Sequence, residues 1–294
     1  LAQMPLIAHL TTSYFKQTEH IEHVDEFREA FAKAFPKAIE YESYLNFLIG
    51  FFLKLIKKAD LITYQLIFFI SYLDGSFISY KFIKSKLLKL YSSKHEIDLK
   101  SALNLMNDYG LIGIVYKEAS KHKIAGIQMH ESIQKSARKY YFIEEEHKSH
   151  LENDLLNLIN CHLTAIDLNQ VAKPEDLAPI EPIYAHLICV ANSVIDKANP
   201  FISDIYYKLA KYNQLKSLNF SKSLDYHQKS LFIRKHLSPN LNSQEIMRSF
   251  SDIGFVYKQL NNLNKSIENY RQALDISRVL NASDHMNTAY LLNQ

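Results

Sequence analysis

The chain has no tryptophan, and its 294 residues include only six glycines, seven prolines and two cysteines. So few glycines and prolines, beside 19 tyrosines and 17 phenylalanines, indicate a mainly α protein whose helices meet through aromatic rings. The glycines stand at 50, 75, 110, 113, 126 and 254, too scattered to build a Gly-x-x-x-x-Gly-Lys-Ser/Thr phosphate loop. No hydrophobic strand ends in the paired acids of a magnesium site, so this chain alone is not expected to hydrolyse a nucleotide. Cys161 and Cys189 are too few for a disulfide framework or a thiolate zinc site, and a reducing, cytoplasmic setting is the simpler expectation. No membrane span is expected either. The apolar run from 44 to 56 contains Lys54, and Lys57-Lys58-Ala59-Asp60 cuts it off from the run 61 to 73. Each piece is shorter than the roughly 20 residues a membrane helix needs. Charge of one sign is also lacking: 34 basic against 31 acidic residues leave +3, a weak pull toward nucleic acid or lipid. The opening Leu1-Ala2-Gln3-Met4-Pro5 has neither an initiator methionine nor a basic leader, and reads as the start of a fragment of a longer protein.

What is present is a core-forming sequence, 47% hydrophobic, with helical periodicity over most of its length. A helix is expected from about 5 to 17, with Pro5 in its first turn and Leu6, Leu10 and Tyr14 on one stripe. Asp25 and Glu26 open a second helix, which Pro36 ends. A third covers about 42 to 57, Asp60 caps a fourth, and Asp74-Gly75 marks the turn after it. A fifth runs from about 78 to 91 and carries Lys81, Lys84, Lys86 and Lys89; a sixth runs from about 99 to 109. Then the pattern changes. Leu111-Ile112-Gly113-Ile114-Val115-Tyr116 and Lys123-Ile124-Ala125-Gly126-Ile127-Gln128 are β-branched runs separated by the polar Lys117-Glu118-Ala119-Ser120-Lys121-His122, a hairpin signal. Helices ending in one hairpin, with a further helix after Met129, predict a winged helix.

From about 149 onward the sequence is helix after helix, and it repeats. Lys222-Ser223-Leu224-Asp225-Tyr226-His227-Gln228-Lys229-Ser230-Leu231 matches Lys265-Ser266-Ile267-Glu268-Asn269-Tyr270-Arg271-Gln272-Ala273-Leu274 without a gap, 43 residues apart. Upstream, Tyr206, Leu209 and Ala210 mirror Phe250, Ile253 and Gly254 with one residue of slippage. Phe250, Ile253, Gly254 and Tyr257 share one helix face. Small residues at Gly254, Ser266 and Ala273 let two backbones approach while Tyr257 and Tyr270 fill the wider gaps. Such a helical hairpin cannot bury its apolar face alone and must stack on its neighbours.

This last stretch resembles the tetratricopeptide repeat in its long-spaced, kinesin-light-chain-like form, through Phe250, Ile253-Gly254, Tyr257, Leu260, Leu263, Ser266, Tyr270 and Ala273. A third repeat is expected to begin at His285, with Ala289, Leu292 and Asn293. The family's frequent proline after the second helix is absent. The resemblance covers about 206 to 294, more weakly 180 to 201, and implies a superhelical surface for a protein or peptide ligand. The opening stretch resembles a second family. Leu111-Ile112 after a helix, then a wing, then Met129-His130-Glu131 with Ile133, Gln134 and Arg138 are similar to the end of the winged-helix part of NB-ARC domains, the STAND-class nucleotide switches. That family's Met-His-Asp motif sets its histidine on the β-phosphate of ADP; His130 matches it and Glu131 replaces the Asp. Gln3-Met4-Pro5-Leu6-Ile7-Ala8 resembles the family's Gly-Leu-Pro-Leu-Ala-Leu motif, whose proline lies on the adenine; Pro5 and Leu6 match and Gln3 replaces the Gly.

The resemblances imply a helical subdomain at about 1–58, a winged helix at 59–147 and a helical repeat array at 148–294. His130 and Pro5 would contact ADP or ATP in a complete protein whose nucleotide-binding domain lies upstream, and homo-oligomers would form on activation. An imidazole can hydrogen-bond a phosphate oxygen, which makes this chemistry sound. Taken without the resemblance, His130 reads more simply as a cap on the helix that follows it or as a residue that hydrogen-bonds within the wing. Two other readings stand beside the switch. One is a plain repeat scaffold; the other is a DNA-binding regulator using Lys81, Lys84, Lys86 and Lys89, although lysines on an outer helix face are ordinary surface. His20 and His23 near Glu19 and Glu22 have loose metal-ligand types on a polar loop. Cys161 beside His162 lacks a third group, and a packed cysteine is the better reading.

Overall fold

The computed structural model describes residues 5–17, 29, 41–85, 98–118, 120–144, 152–157, 159, 175, 180–194, 199–237 and 243–280. It divides into two compact units, Leu1–Leu155 and Leu156–Gln294. The fold is mainly α, with one small sheet in the first unit and stacked helical hairpins in the second.

The first unit begins with α1 (Pro5–Gln17) and α2 (Tyr41–Ala59). The helix expected after Asp25 falls almost wholly outside the described residues. Asp60 then caps α3 (Leu61–Tyr72), its carboxylate accepting the Ile62 N–H at 2.9 Å. Helix α3 is buried nearly all round, Leu66, Ile67, Phe68 and Ile70 being fully covered, so it is the central post of the unit.

The structure corrects the fifth helix. Residues 78 and 79 form a short strand, β1 (Ile78–Ser79), and helix α4 (Tyr80–Ser85) starts only after it. Ile78 is fully buried opposite Ile127, and the Ser79 hydroxyl accepts the Phe82 N–H at 3.1 Å, so the strand is followed at once by a helix start. Asp98 caps α5 (Leu99–Asp108), which stops at Gly110 with φ 71°. A Cβ on Gly110 would come within 3.0 to 3.3 Å of Ser13 and His9 of α1, so glycine serves both the turn and the close approach. Strands β2 (Gly113–Lys117) and β3 (Ser120–Gln128) form the hairpin, with a shorter connection than the polar run predicts. The antiparallel sheet has the order β1-β3-β2, one strand more than the expected hairpin. From α3 onward, helix, strand, two helices and two strands follow one another along the chain. Helix α6 (Glu131–Glu144) packs on α2 and α3 through Ile133, Ala137 and Tyr141. The Tyr141 ring lies 4.7 Å from Tyr64 and 4.8 Å from Phe68, and its hydroxyl donates to the Tyr64 carbonyl.

In the second unit a 3₁₀ turn (Glu181–Ile183) leads into α7 (Tyr184–Ser193), α8 (Pro200–Leu215), α9 (Phe220–Leu237), α10 (Gln244–Gln259) and α11 (Leu263–Leu280). Helices α8 and α9 pack as one hairpin, α10 and α11 as a second, and α9 packs on α10. The 43-residue repeat is visible atom by atom. Leu218 (φ 50°) and Asn261 (φ 58°) turn the chain in the left-handed region at corresponding positions. The following Asn219 and Asn262 side chains accept the N–H of Lys222 and Lys265 at 3.0 and 3.3 Å. Ser223 and Ser266 donate their hydroxyls across the hairpin to the carbonyls of Ala210 (3.0 Å) and Gly254 (2.8 Å). A larger side chain at either serine would force the paired helices apart. Leu231, Ile246, Met247, Phe250, Ile253, Ala273 and Ile276 form the core between the hairpins. The third repeat expected at His285 lies outside the described residues.

Candidate functional sites

His130 stands at the joint between β3 and α6, with its side chain exposed. The Ser132 N–H donates to its Nδ1 at 3.1 Å, so the imidazole caps α6. That is the simpler role the sequence allows. It also fixes the tautomer: with Nδ1 accepting, the proton of the neutral ring is on Nε2, the atom left for any other partner. Glu131, in the motif's acidic position, pairs with Lys135 at 2.7 Å, both exposed, and the lysine holds its carboxyl below the usual range. One turn behind His130, Gln134 Nε2 donates to the carbonyls of Ile70 (3.2 Å) and Leu73 (2.9 Å). One turn further, Arg138 donates to the Ser71 carbonyl. These carbonyls end α3; that of Ile70 also accepts the Leu73 N–H at 3.1 Å, and α6 adds side-chain donors to the same last turn. Gly75 makes the close fit possible: Met129 N–H donates to its carbonyl at 2.9 Å, and a Cβ there would collide with the Met129 carbonyl at 2.1 Å.

Pro5 opens α1 as expected, while its side chain lies outside the described part of the structure. Helix α1 packs on α2 and α5, and α6 packs on α2 and α3, so the helices of the two predicted contact residues share α2 as a neighbour. The DNA reading gains nothing. Lys81 and Lys84 are exposed on the short α4, Lys86 and Lys89 lie outside the described residues, and α5 exposes Lys100, Ser101, Asn104 and Asn107, with a single cation among them. Salt-dependent duplex binding needs several phosphate contacts. His20, His23, Cys161 and His162 are outside the described residues. Among the described residues no His, Cys, Asp and Glu cluster could hold a metal ion. No described helix is long and apolar enough to cross a membrane.

In the repeats the structure assembles a polar network that the sequence pattern does not single out. Tyr207 and Lys211 of α8 both donate to the carboxylate of Asp252 on α10, Tyr207 at 2.9 Å. Burial pushes the Asp252 carboxyl up, but Lys211 and the two hydrogen bonds more than offset this, and it titrates below the ordinary carboxylate value. Burial, followed by Asp252, raises the Tyr207 hydroxyl well above its ordinary value. Arg234 of α9 reaches Ser203 (3.1 Å), Ser249 (2.7 Å), the Glu245 carbonyl (3.1 Å) and Asp204 (3.2 Å), with its guanidinium 4.6 Å from the centre of the Tyr207 ring. Three helices from two repeats are thereby locked in register. His227 lies behind Tyr207 (5.6 Å between rings), fully buried, with Nε2 3.3 Å from Gln214 Oε1 and no partner for Nδ1. Burial drives its pKa down to about 3, so it is neutral.

The repeats also expose apolar side chains at Leu260, Leu263 and Ile267 (39, 56 and 49% exposed). The α9 residue that corresponds to Ile267 is Leu224, which packs into the core beneath α10.

No family model and no curated protein matches this sequence. Among solved structures, the chain aligns over 97% of its length with a Signal Transduction ATPase with Numerous Domains (STAND) protein with a tetratricopeptide repeat sensor, from Pyrococcus horikoshii. Identity is 14%, the TM-score is 0.26, and the chain spans 56% of that protein's length. At that score the likeness is a loose one of fold.

Proposed function

We propose that this chain is the non-catalytic, regulatory part of a nucleotide-dependent signalling switch. In the complete protein His130 contacts ADP, and the helical repeats take a protein or peptide ligand. The observation that carries the nucleotide part is the geometry of His130: Nδ1 is occupied by the Ser132 N–H, the ring is exposed, and Nε2–H is left as a donor for a phosphate oxygen. Clamped by Gln134 and Arg138, α6 holds that donor in a fixed place, as a contact that distinguishes two nucleotide states requires. The stacking of the α8–α9 hairpin on the α10–α11 hairpin supports protein contact by the array.

The test uses the complete protein loaded with ADP. His130→Asn keeps a side-chain oxygen able to cap α6 but removes the Nε2 donor. ADP release is expected to rise about tenfold, the worth of one charge-assisted hydrogen bond. Unchanged release would leave His130 as a cap and nothing more, and favour the second reading, a repeat scaffold without nucleotide switching; the capping bond to Ser132 is the observation on that side.

A further inference from the structure

His130, Gln134 and Arg138 follow one another at single-turn intervals on one face of α6. Gln134 and Arg138 grip the carbonyls of Ile70, Ser71 and Leu73, and the Arg138 guanidinium lies 5.6 Å from the centre of the Tyr72 ring. The last turn of α3 is therefore held by the same helix face that begins with His130. Tyr72 continues the line. Its hydroxyl donates to Glu152 Oε1 at 2.5 Å, 80 residues further along the chain, with both residues buried at 1% and 6% exposure. Glu152 lies in the helical stretch 152–157, three residues before Leu155, the last residue of the first unit.

A buried carboxylate is a poor choice for stability alone, because its desolvation must be offset by its polar contacts, and an apolar side chain would carry no such cost. A hydrogen bond, in contrast to a packed apolar contact, can be made and broken without repacking the core. We infer that the Tyr72–Glu152 hydrogen bond is a latch that transmits the position of the His130 end of α6 to the segment leading into the repeat array. Gln134 and Arg138 are its positioning residues. The identity of what moves α6 rests on the switch reading above; the latch itself does not.

Hydrogen exchange on the 294-residue chain without nucleotide tests it. Tyr72→Phe removes the hydroxyl and keeps the ring under Arg138. It is expected to speed exchange about ten- to hundredfold both in 152–157 and at the start of α6 (131–138), with α10 and α11 unchanged. Glu152→Gln retains an acceptor and should give the same pattern with a smaller change. Faster exchange confined to 152–157 in both variants would overturn the latch and leave a local tether; no change in either would overturn it too. Because no nucleotide is present, the two ideas fail separately: unchanged ADP release in His130→Asn removes the switch, and an uncoupled α6 removes the latch.

Discussion

The ring of Tyr270 lies directly on the backbone of Gly254, so that a Cβ built there would stand 3.0 Å from one ring carbon and 3.1 Å from two others. The preceding repeat solves the same contact differently. Ser223 and Ser266 mark the equivalent carbonyls as Ala210 and Gly254, and His227 stands where the second repeat has Tyr270. A smaller ring is matched with a residue that has a Cβ. Gly254→Ala is therefore expected to destabilise the repeat unit by about 1–2 kcal/mol, the overpacking penalty less the gain in helix propensity. Adding Tyr270→His should recover part of the loss. Urea titration of the two single variants and the double variant measures the coupling, and strict additivity would disprove the size matching.

Leu218 occupies a left-handed turn position that the next repeat fills with Asn261, and its side chain is 66% exposed. For an L residue that conformation costs roughly 1–2 kcal/mol, less for asparagine. Leu218→Asn loses little buried surface and is expected to stabilise the repeats by about 1 kcal/mol, read as a rise in Tm.

Asp252 is held by Lys211 and Tyr207 in a partly covered site. Replacing it by Asn leaves the ammonium of Lys211 without its anion, an expected loss of about 2–3 kcal/mol at neutral pH. Its folded pKa is depressed, so its contribution is present above the ordinary carboxylate range and is lost as pH falls through the folded value. The stability difference between the parent chain and Asp252→Asn should shrink below about pH 4, and a constant difference would count against the ion pair.

His227 acts over a different range. Its folded pKa is about 3 against an ordinary 6.5, so between those values the unfolded chain binds one more proton than the folded chain. Stability should fall as the solution is acidified from about pH 6.5, by roughly 1.4 kcal/mol per unit at the steepest. His227→Phe keeps an aromatic ring and removes the proton site. Denaturant titrations at pH 7, 6 and 5 should show a flatter dependence in the variant; parallel curves would mean that the histidine gains its proton without unfolding.

Features written locally were legible in the sequence. Asp60 as a cap, Gly110 as a stop, the hairpin before Met129 and the 43-residue spacing all follow from residues within a few positions of each other or from a pattern repeated at a fixed offset. Strand β1 was not, because two residues carry no periodicity and Ile78 is a strand residue only by virtue of Ile127. Nor were the polar contacts that organise each unit. Tyr207 meets Asp252 across 45 residues and Tyr72 meets Glu152 across 80, and neither pair leaves a mark on the spacing of apolar residues. His130 illustrates the division: its place at a helix start is readable, whereas the nitrogen it spends there depends on the backbone of Ser132.

The clamp of α6 on the end of α3 makes chain length itself a constraint. Adding or deleting one residue between His130 and Gln134 would swing His130 by about 100° around the helix axis while Gln134 and Arg138 stayed fixed on their carbonyls. Substitution at His130 is thus tolerable to the fold in a way that a shift of frame is not, and homologous chains that keep this clamp should hold the residue count between positions 130 and 134 even where the residues between them differ.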